Sequence, residues 1–113
     1  MKSPVTTHVL DTGAGRPAAG VPVMLEIESE DGWKRIGSGT TDPDGRISNL
    51  LTRKAFGPGV YRITFNVDAY FLAQGLRTFY REVPVIFVVS DVDEHYHVPL
   101  LLSPFGYSTY RGS

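Results

Sequence analysis

Three histidines hold most of the reactive chemistry in this chain: His8, His95 and His97. Imidazole is the side chain whose ordinary pKa lies nearest neutrality, so each can give or take a proton near pH 7. His97 stands between Tyr96 and Val98 in a strand-like run. Its residue type fits two roles, an interface histidine satisfied by backbone groups or a general acid or base. His8 offers the same two. His95 precedes His97 by two residues, so in a strand the pair shares one face about 7 Å apart. A His-x-His pair can belong to a zinc site. No third ligand is marked, and the expectation for His95 is a structural or rim position. Arg46 follows the run Asp42-Pro43-Asp44-Gly45. Taken alone, such an arginine is solvated or paired with a carboxylate. Asp42 and Asp44 could open a calcium loop, but the remaining ligands are missing and turn chemistry explains both. No glycine-rich phosphate loop precedes a helix, and no Gly-x-Ser-x-Gly elbow occurs. The cysteine count is 0, which excludes disulfides, thiolate chemistry and iron–sulfur clusters.

The elements that must position these groups are short. Gly 12 and Pro 8 punctuate the chain, and short runs between turn signals predict an all-β sandwich or barrel. Val5 to Asp11 reads as a first strand, closed by Thr12-Gly13-Ala14-Gly15. Val21 to Glu28 is a second, with Val21, Val23, Leu25 and Ile27 on one face. Glu30-Asp31-Gly32 turns the chain into a strand from Trp33 to Thr40. Asp42-Pro43-Asp44-Gly45 is a tight turn, followed by a short strand from Arg46 to Leu50. Val60 to Val67 alternates, with Tyr61, Ile63, Phe65 and Val67 facing in. Asp68 is expected to N-cap a brief helix over Ala69 to Gln74, stopped by Gly75. Val83 to Val89 is continuously apolar and reads as a strand covered on both faces, with Pro84 marking a strand start or an edge. His95 to Leu102 and Gly106 to Arg111 complete the set.

The last two strands permit a register. A four-residue loop Ser103-Pro104-Phe105-Gly106 pairs Leu102 with Tyr107, Pro99 with Tyr110 and His97 with Gly112. Tyr96, Val98, Leu100, Leu102, Tyr107 and Thr109 then form the core face. The opposite face is mixed, with His97, Pro99, Leu101, Ser108, Tyr110 and Gly112. Such a face is better used as an interface or a pocket wall than left in water. Thr6, His8 and Leu10 align similarly on the first strand. The register also puts the terminal carboxylate of Ser113 near His97.

With 113 residues, the chain is expected to form one domain over residues 1–113. Hydrophobic residues make 42%, enough for a core. The formal net charge of -1 argues against a nucleic-acid partner. No stretch approaches the roughly 20 apolar residues of a membrane span. Met1-Lys2-Ser3-Pro4 leads straight into strand-like sequence without an apolar signal core, and Arg111-Gly112-Ser113 is not a peroxisomal address. A soluble, cytoplasmic protein is expected.

Three segments resemble a known family. The run from His95 to Ser113 closely resembles the end of 5-hydroxyisourate hydrolases, the transthyretin-like enzymes of urate breakdown. Thr7-His8-Val9-Leu10-Asp11-Thr12 is similar to their opening motif, and Thr41-Asp42-Pro43-Asp44-Gly45-Arg46 to their central one. The first half alone also resembles prealbumin-like regulatory or adhesin modules. The ending Tyr110-Arg111-Gly112-Ser113 is the specific part, because it separates the hydrolases from the transthyretin hormone carriers.

The resemblance implies a transthyretin-like (prealbumin-like) two-sheet β-sandwich with one short helix, and a homotetramer, a dimer of dimers with sites in a channel between dimers. It implies catalytic roles for His8, Arg46, His97 and Ser113, and substrate contacts for Arg46, Tyr110, Arg111 and Gly112. Neither metal nor cofactor is implied. The reaction would be hydrolysis of 5-hydroxyisourate at an amide-type C–N bond, yielding 2-oxo-4-hydroxy-4-carboxy-5-ureidoimidazoline. A small-molecule carrier with the same channel, or a structural β-module, are the competing classes. A passive apolar pocket has little use for two histidines and an arginine.

Overall fold

Period-two alternation gives each strand one apolar face, and two such sheets can hide those faces only by stacking them. The computed structural model, which describes residues 3–113, takes that form. In chain order the elements are β1 (Val5–Asp11), β2 (Arg16–Pro17), β3 (Pro22–Ser29), β4 (Gly32–Thr40), β5 (Arg46–Ile47), β6 (Gly59–Phe65), α1 (Val67–Leu72), β7 (Val83–Val89), β8 (Tyr96–Ser103) and β9 (Gly106–Thr109). A 3-10 turn covers Arg53–Ala55. Met1 and Lys2, part of the opening read above, lie outside the described residues.

One sheet runs β2-β1-β8-β9, with β5 also paired to β1; the other runs β4-β3-β6-β7. Val5, Val9, Leu100 and Leu102 of the first sheet pack with Val23, Leu25, Tyr61, Ile63 and Phe65 of the second. Each such side chain contributes about 1.5–3 kcal/mol by leaving water. No described helix is long and apolar enough to cross a membrane.

The expected strands form, with instructive differences. β5 ends at Ile47 rather than at Leu50. Leu50 and Leu51 are apolar because they plug the core, not because they pair in a sheet. The backbone of Leu50 crosses so close to Gly37 that a Cβ there would strike its carbonyl oxygen. The helix is capped by Asn66, whose side chain accepts from the Ala69 amide, and not by Asp68. Val67 opens that helix instead of ending a strand, because Val67, Tyr70 and Phe71 form its buried face. Gly75, at φ 71, does stop it, with the Leu76 amide donating to the Phe71 carbonyl.

β7 is not covered on both faces within the protomer. It is an edge strand, and Ile86 and Val88 are 60% and 65% exposed. The hairpin register of β8 and β9 is as expected, with Leu102 opposite Tyr107 and an isolated bridge between His97 and Gly112. Tyr107 and Thr109, expected in the core, are exposed, because β9 is the edge of its sheet. Tyr107 packs edge-on against Tyr80 instead.

Candidate active site

The site is assembled on the outer face of the first sheet. β1 and β8 pair in parallel, with Thr6 opposite His97 and His8 opposite Pro99. β5 joins β1 antiparallel and puts Arg46 opposite His8. The period of two therefore directs Thr6, His8, Arg46 and His97 to one side, away from the core. Two residues of rise and one strand spacing leave the backbones of His8 and His97 roughly 8 Å apart.

Arg46 is held by the turn before it. The Asp42 carboxylate accepts from the Asp44 amide at 2.9 Å and from the Arg46 amide at 3.0 Å. Gly45, at φ 76, lies against the Val9 carbonyl, and its own carbonyl accepts from the Val9 amide at 2.7 Å. A side chain at position 45 would be strained in conformation and would also collide with β1. Asp42 and Asp44 thus do turn work. Among the described residues no carboxylate pairs with the Arg46 guanidinium, so its charge is directed to solvent and the site.

His97 is gripped from two sides. The Gly112 amide donates to its carbonyl at 2.8 Å. A Cβ at Gly112 would stand 2.6 Å from His97 Cδ2, so the glycine lets the chain end lie flat against the imidazole. On the other side the Thr6 hydroxyl is 2.8 Å from His97 Nδ1 and 2.8 Å from His95 Nε2. The two rings stack 6.4 Å apart. Thr6, Arg46, Ser48, His95, His97 and Ser113 line a cleft of about 260 Å³. His8 is not among the residues that line this cleft; it stands on β1 opposite Arg46.

Tyr110 and Arg111 are not in that cleft. Tyr110 is 60% exposed and lines a second, more apolar groove with Val85, Phe87 and Val88; His97 borders both. Arg111, expected as a substrate contact, lines that second groove with Tyr110 and His97. Its guanidinium lies 4.6 Å from the centre of the Tyr96 ring, 3.4 Å from the Glu94 carboxylate and 3.3 Å from the His95 carbonyl. Strand alternation explains this: Gly112 meets His97 on the outer face, so its neighbour Arg111 faces the side of Tyr96. His95 lies at the rim, as expected, and among the described residues no group of three or more metal-ligating side chains is gathered. Thr6 is the residue sequence reasoning missed. Its alignment with His8 was legible, but the parallel neighbour that gives it a role was not.

Both key imidazoles favour the neutral form. Burial is the main cause of the lowered pKa of His97, followed by the positive charges of His95, Arg46 and His8. Burial also leads for His8, followed by Arg46. A hydrogen bond with the Asp44 backbone and the Asp42 and Asp44 carboxylates oppose that shift. The arrangement is two imidazoles shifted toward the free base near a guanidinium, which suits proton abstraction next to developing negative charge.

Known proteins of this shape have the same architecture. Sea bream transthyretin, solved in complex with thyroxine, superposes with a TM-score of 0.93 at 38% identity, covering 97% of this chain and 95% of that one. The sandwich is therefore a transthyretin fold. The HIUase/Transthyretin family model matches residues 5–112, and the chain belongs to that family. The 5-hydroxyisourate hydrolase of Salmonella dublin is 51% identical over 109 residues, which is 96% of this chain and 80% of that protein. The 5-hydroxyisourate hydrolase of Halalkalibacterium halodurans is 49% identical across 100% of both chains. The mouse protein of the same name is 42% identical, covering 98% of this chain and 96% of its own.

Proposed function

We propose that this chain is a 5-hydroxyisourate hydrolase that opens its substrate at the cyclic amide C–N bond to give 2-oxo-4-hydroxy-4-carboxy-5-ureidoimidazoline. The observation that carries the reading is the cleft itself. His97 and Arg46 line it, the Arg46 guanidinium has no carboxylate partner among the described residues, and His8 lies opposite Arg46 on β1; the pKa values of both histidines are lowered. That set is out of place in a passive apolar binding pocket, and the relatives named for this reaction align along nearly the whole chain.

In the proposed mechanism one imidazole, His97 or His8, takes a proton from water as the oxygen attacks the carbonyl carbon. The C–N bond then breaks, and the leaving nitrogen receives a proton from the imidazolium, which restores the base. The second imidazole donates to or orients the ring. Two imidazoles in one site oppose each other's protonation, which separates these roles. Arg46 holds the polar ring and stabilises charge on the carbonyl oxygen, worth roughly 3–4 kcal/mol for a donor of this kind. Tyr110 walls the substrate from the adjoining groove. Gly112 and Ser113 shape the cleft floor at His97, and Arg111 anchors the terminal segment on Tyr96.

The same proposal includes a homotetramer, a dimer of dimers with the clefts in a shared channel. The exposed apolar side of the unpaired edge strand β7 supports it. A cytoplasmic location is also part of the proposal and rests on composition alone; cell fractionation tests it.

The deciding assay generates 5-hydroxyisourate with urate oxidase and follows its ultraviolet decay. Wild type should accelerate decay over buffer, and His97→Ala and Arg46→Ala should each lose on the order of 100-fold or more in kcat/KM. Two variants as active as wild type would remove the site. A wild type no faster than buffer, yet able to bind thyroxine, would favour a carrier.

A further inference from the structure

Thr6 stands outside the residues given roles above, yet it touches the proposed base directly. Thr6 is 8% exposed, and its hydroxyl lies 2.8 Å from both His97 Nδ1 and His95 Nε2. A hydroxyl has one proton. Between two neutral imidazoles it donates to one and accepts from the other. Among the described residues it has no third partner, so an arrangement in which both rings donate would strand the hydroxyl proton.

Two arrangements remain. In one, His97 Nδ1–H donates to Thr6, Thr6 donates to His95 Nε2, and His97 Nε2 keeps its lone pair. In the other all directions reverse, and His97 carries its proton on Nε2. Only the first has a base at Nε2 ready for water. It also survives the reaction. Once Nε2 takes a proton, the ring is an imidazolium that must donate through Nδ1, and Thr6 already accepts there. The hydrogen bond strengthens as charge develops, with no proton or hydroxyl reorganised. His95 is needed as the acceptor for the Thr6 proton, which explains a ring held against a nearly buried hydroxyl at the rim.

We infer that Thr6, backed by His95, is a positioning residue that holds His97 as its Nδ1–H tautomer, with Nε2 as the base. The inference rests on the hydrolase reading for its kinetic consequence, but not for its structural one.

The test pairs Thr6→Val, which keeps the branched shape and removes the hydroxyl, with Thr6→Ser, which keeps the hydroxyl. Substrate-free long-range proton–nitrogen NMR spectra report the tautomer. Wild type and Thr6→Ser should show His97 as one species protonated on Nδ1, and Thr6→Val should show a mixture. The valine variant should lose about tenfold in kcat with KM changed less than about twofold, and serine should restore kcat. An Nε2–H tautomer in wild type overturns the inference, and this measurement needs no variant to fold. So does an unchanged tautomer and kcat in Thr6→Val, or failure of serine to rescue. A wild type with no hydrolysis at all sinks the hydrolase reading, while the spectra still decide the tautomer.

Discussion

In the proposed mechanism His97 and His8 face opposite constraints: they must be wet enough to meet substrate and dry enough to favour the free base. Partial burial and the neighbouring cations lower both pKa values below the ordinary 6.5. Activity that needs the free base should therefore be flat at and above pH 6.5 and fall only as pH drops through the lowered value. Arg46→Met removes one of the cations, so the His97 titration, followed by NMR without substrate, should move up toward 6.5. A midpoint that stays put would show that Arg46 does not act on His97. The stability contribution has the matching sign. The unfolded chain protonates first, so stability is full above 6.5 and declines as pH falls between 6.5 and the folded-state value. At this scale the sequence was informative about residue type and face, as with His8 and His97. It did not reveal the contacts of Arg111 with Tyr96 and Glu94, which depend on how the terminal segment lies against β8.

The Asp42–Gly45 turn is the element that positions Arg46, the cation of the proposed site. Its glycine and aspartates were readable because turn chemistry is local. Asp42→Ala removes the acceptor for two amides, at a cost of about 1–3 kcal/mol. Because one of those amides belongs to Arg46, kcat/KM should fall about tenfold or more. Asp42→Asn, which keeps an acceptor oxygen, should retain most activity. Steady-state kinetics beside thermal unfolding separate the two effects; equal loss in both variants would detach the turn from the site. β5 itself was predicted too long. Leu50 and Leu51 are buried like strand residues but serve the core from a loop, and burial alone does not distinguish the two.

At the scale of the whole molecule, β7 and β9 leave two open sheet edges on one side of the sandwich. Ile86 and Val88 lie on that side with Tyr110, all at least 60% exposed. Singly exposed apolar residues are ordinary, but a row on an unpaired edge strand invites pairing with another chain. If the proposed tetramer uses this edge, wild type should scatter light as about four chains, and Ile86→Asp and Val88→Asp should reduce that mass toward one or two. Unchanged mass in both would move the interface elsewhere. The continuous apolar run of β7 suggested cover on both faces, and a second copy would supply the cover that the protomer lacks.

Sequence alone determined the side-chain alternation of the strands, the turns and the pairing of β8 with β9, but not which faces of β7 and β9 are covered. Side-chain period and a four-residue loop are local constraints, and they set the Leu102–Tyr107 and His97–Gly112 partners before any packing is known. Tertiary structure decided which strands lie side by side. β1 and β8 are parallel, and Thr6 meets His97 across 91 residues of chain. No local pattern encodes that neighbour, because it follows from how the two sheets jointly bury their apolar faces. The proton-sharing trio of Thr6, His95 and His97 exists only once that choice is made.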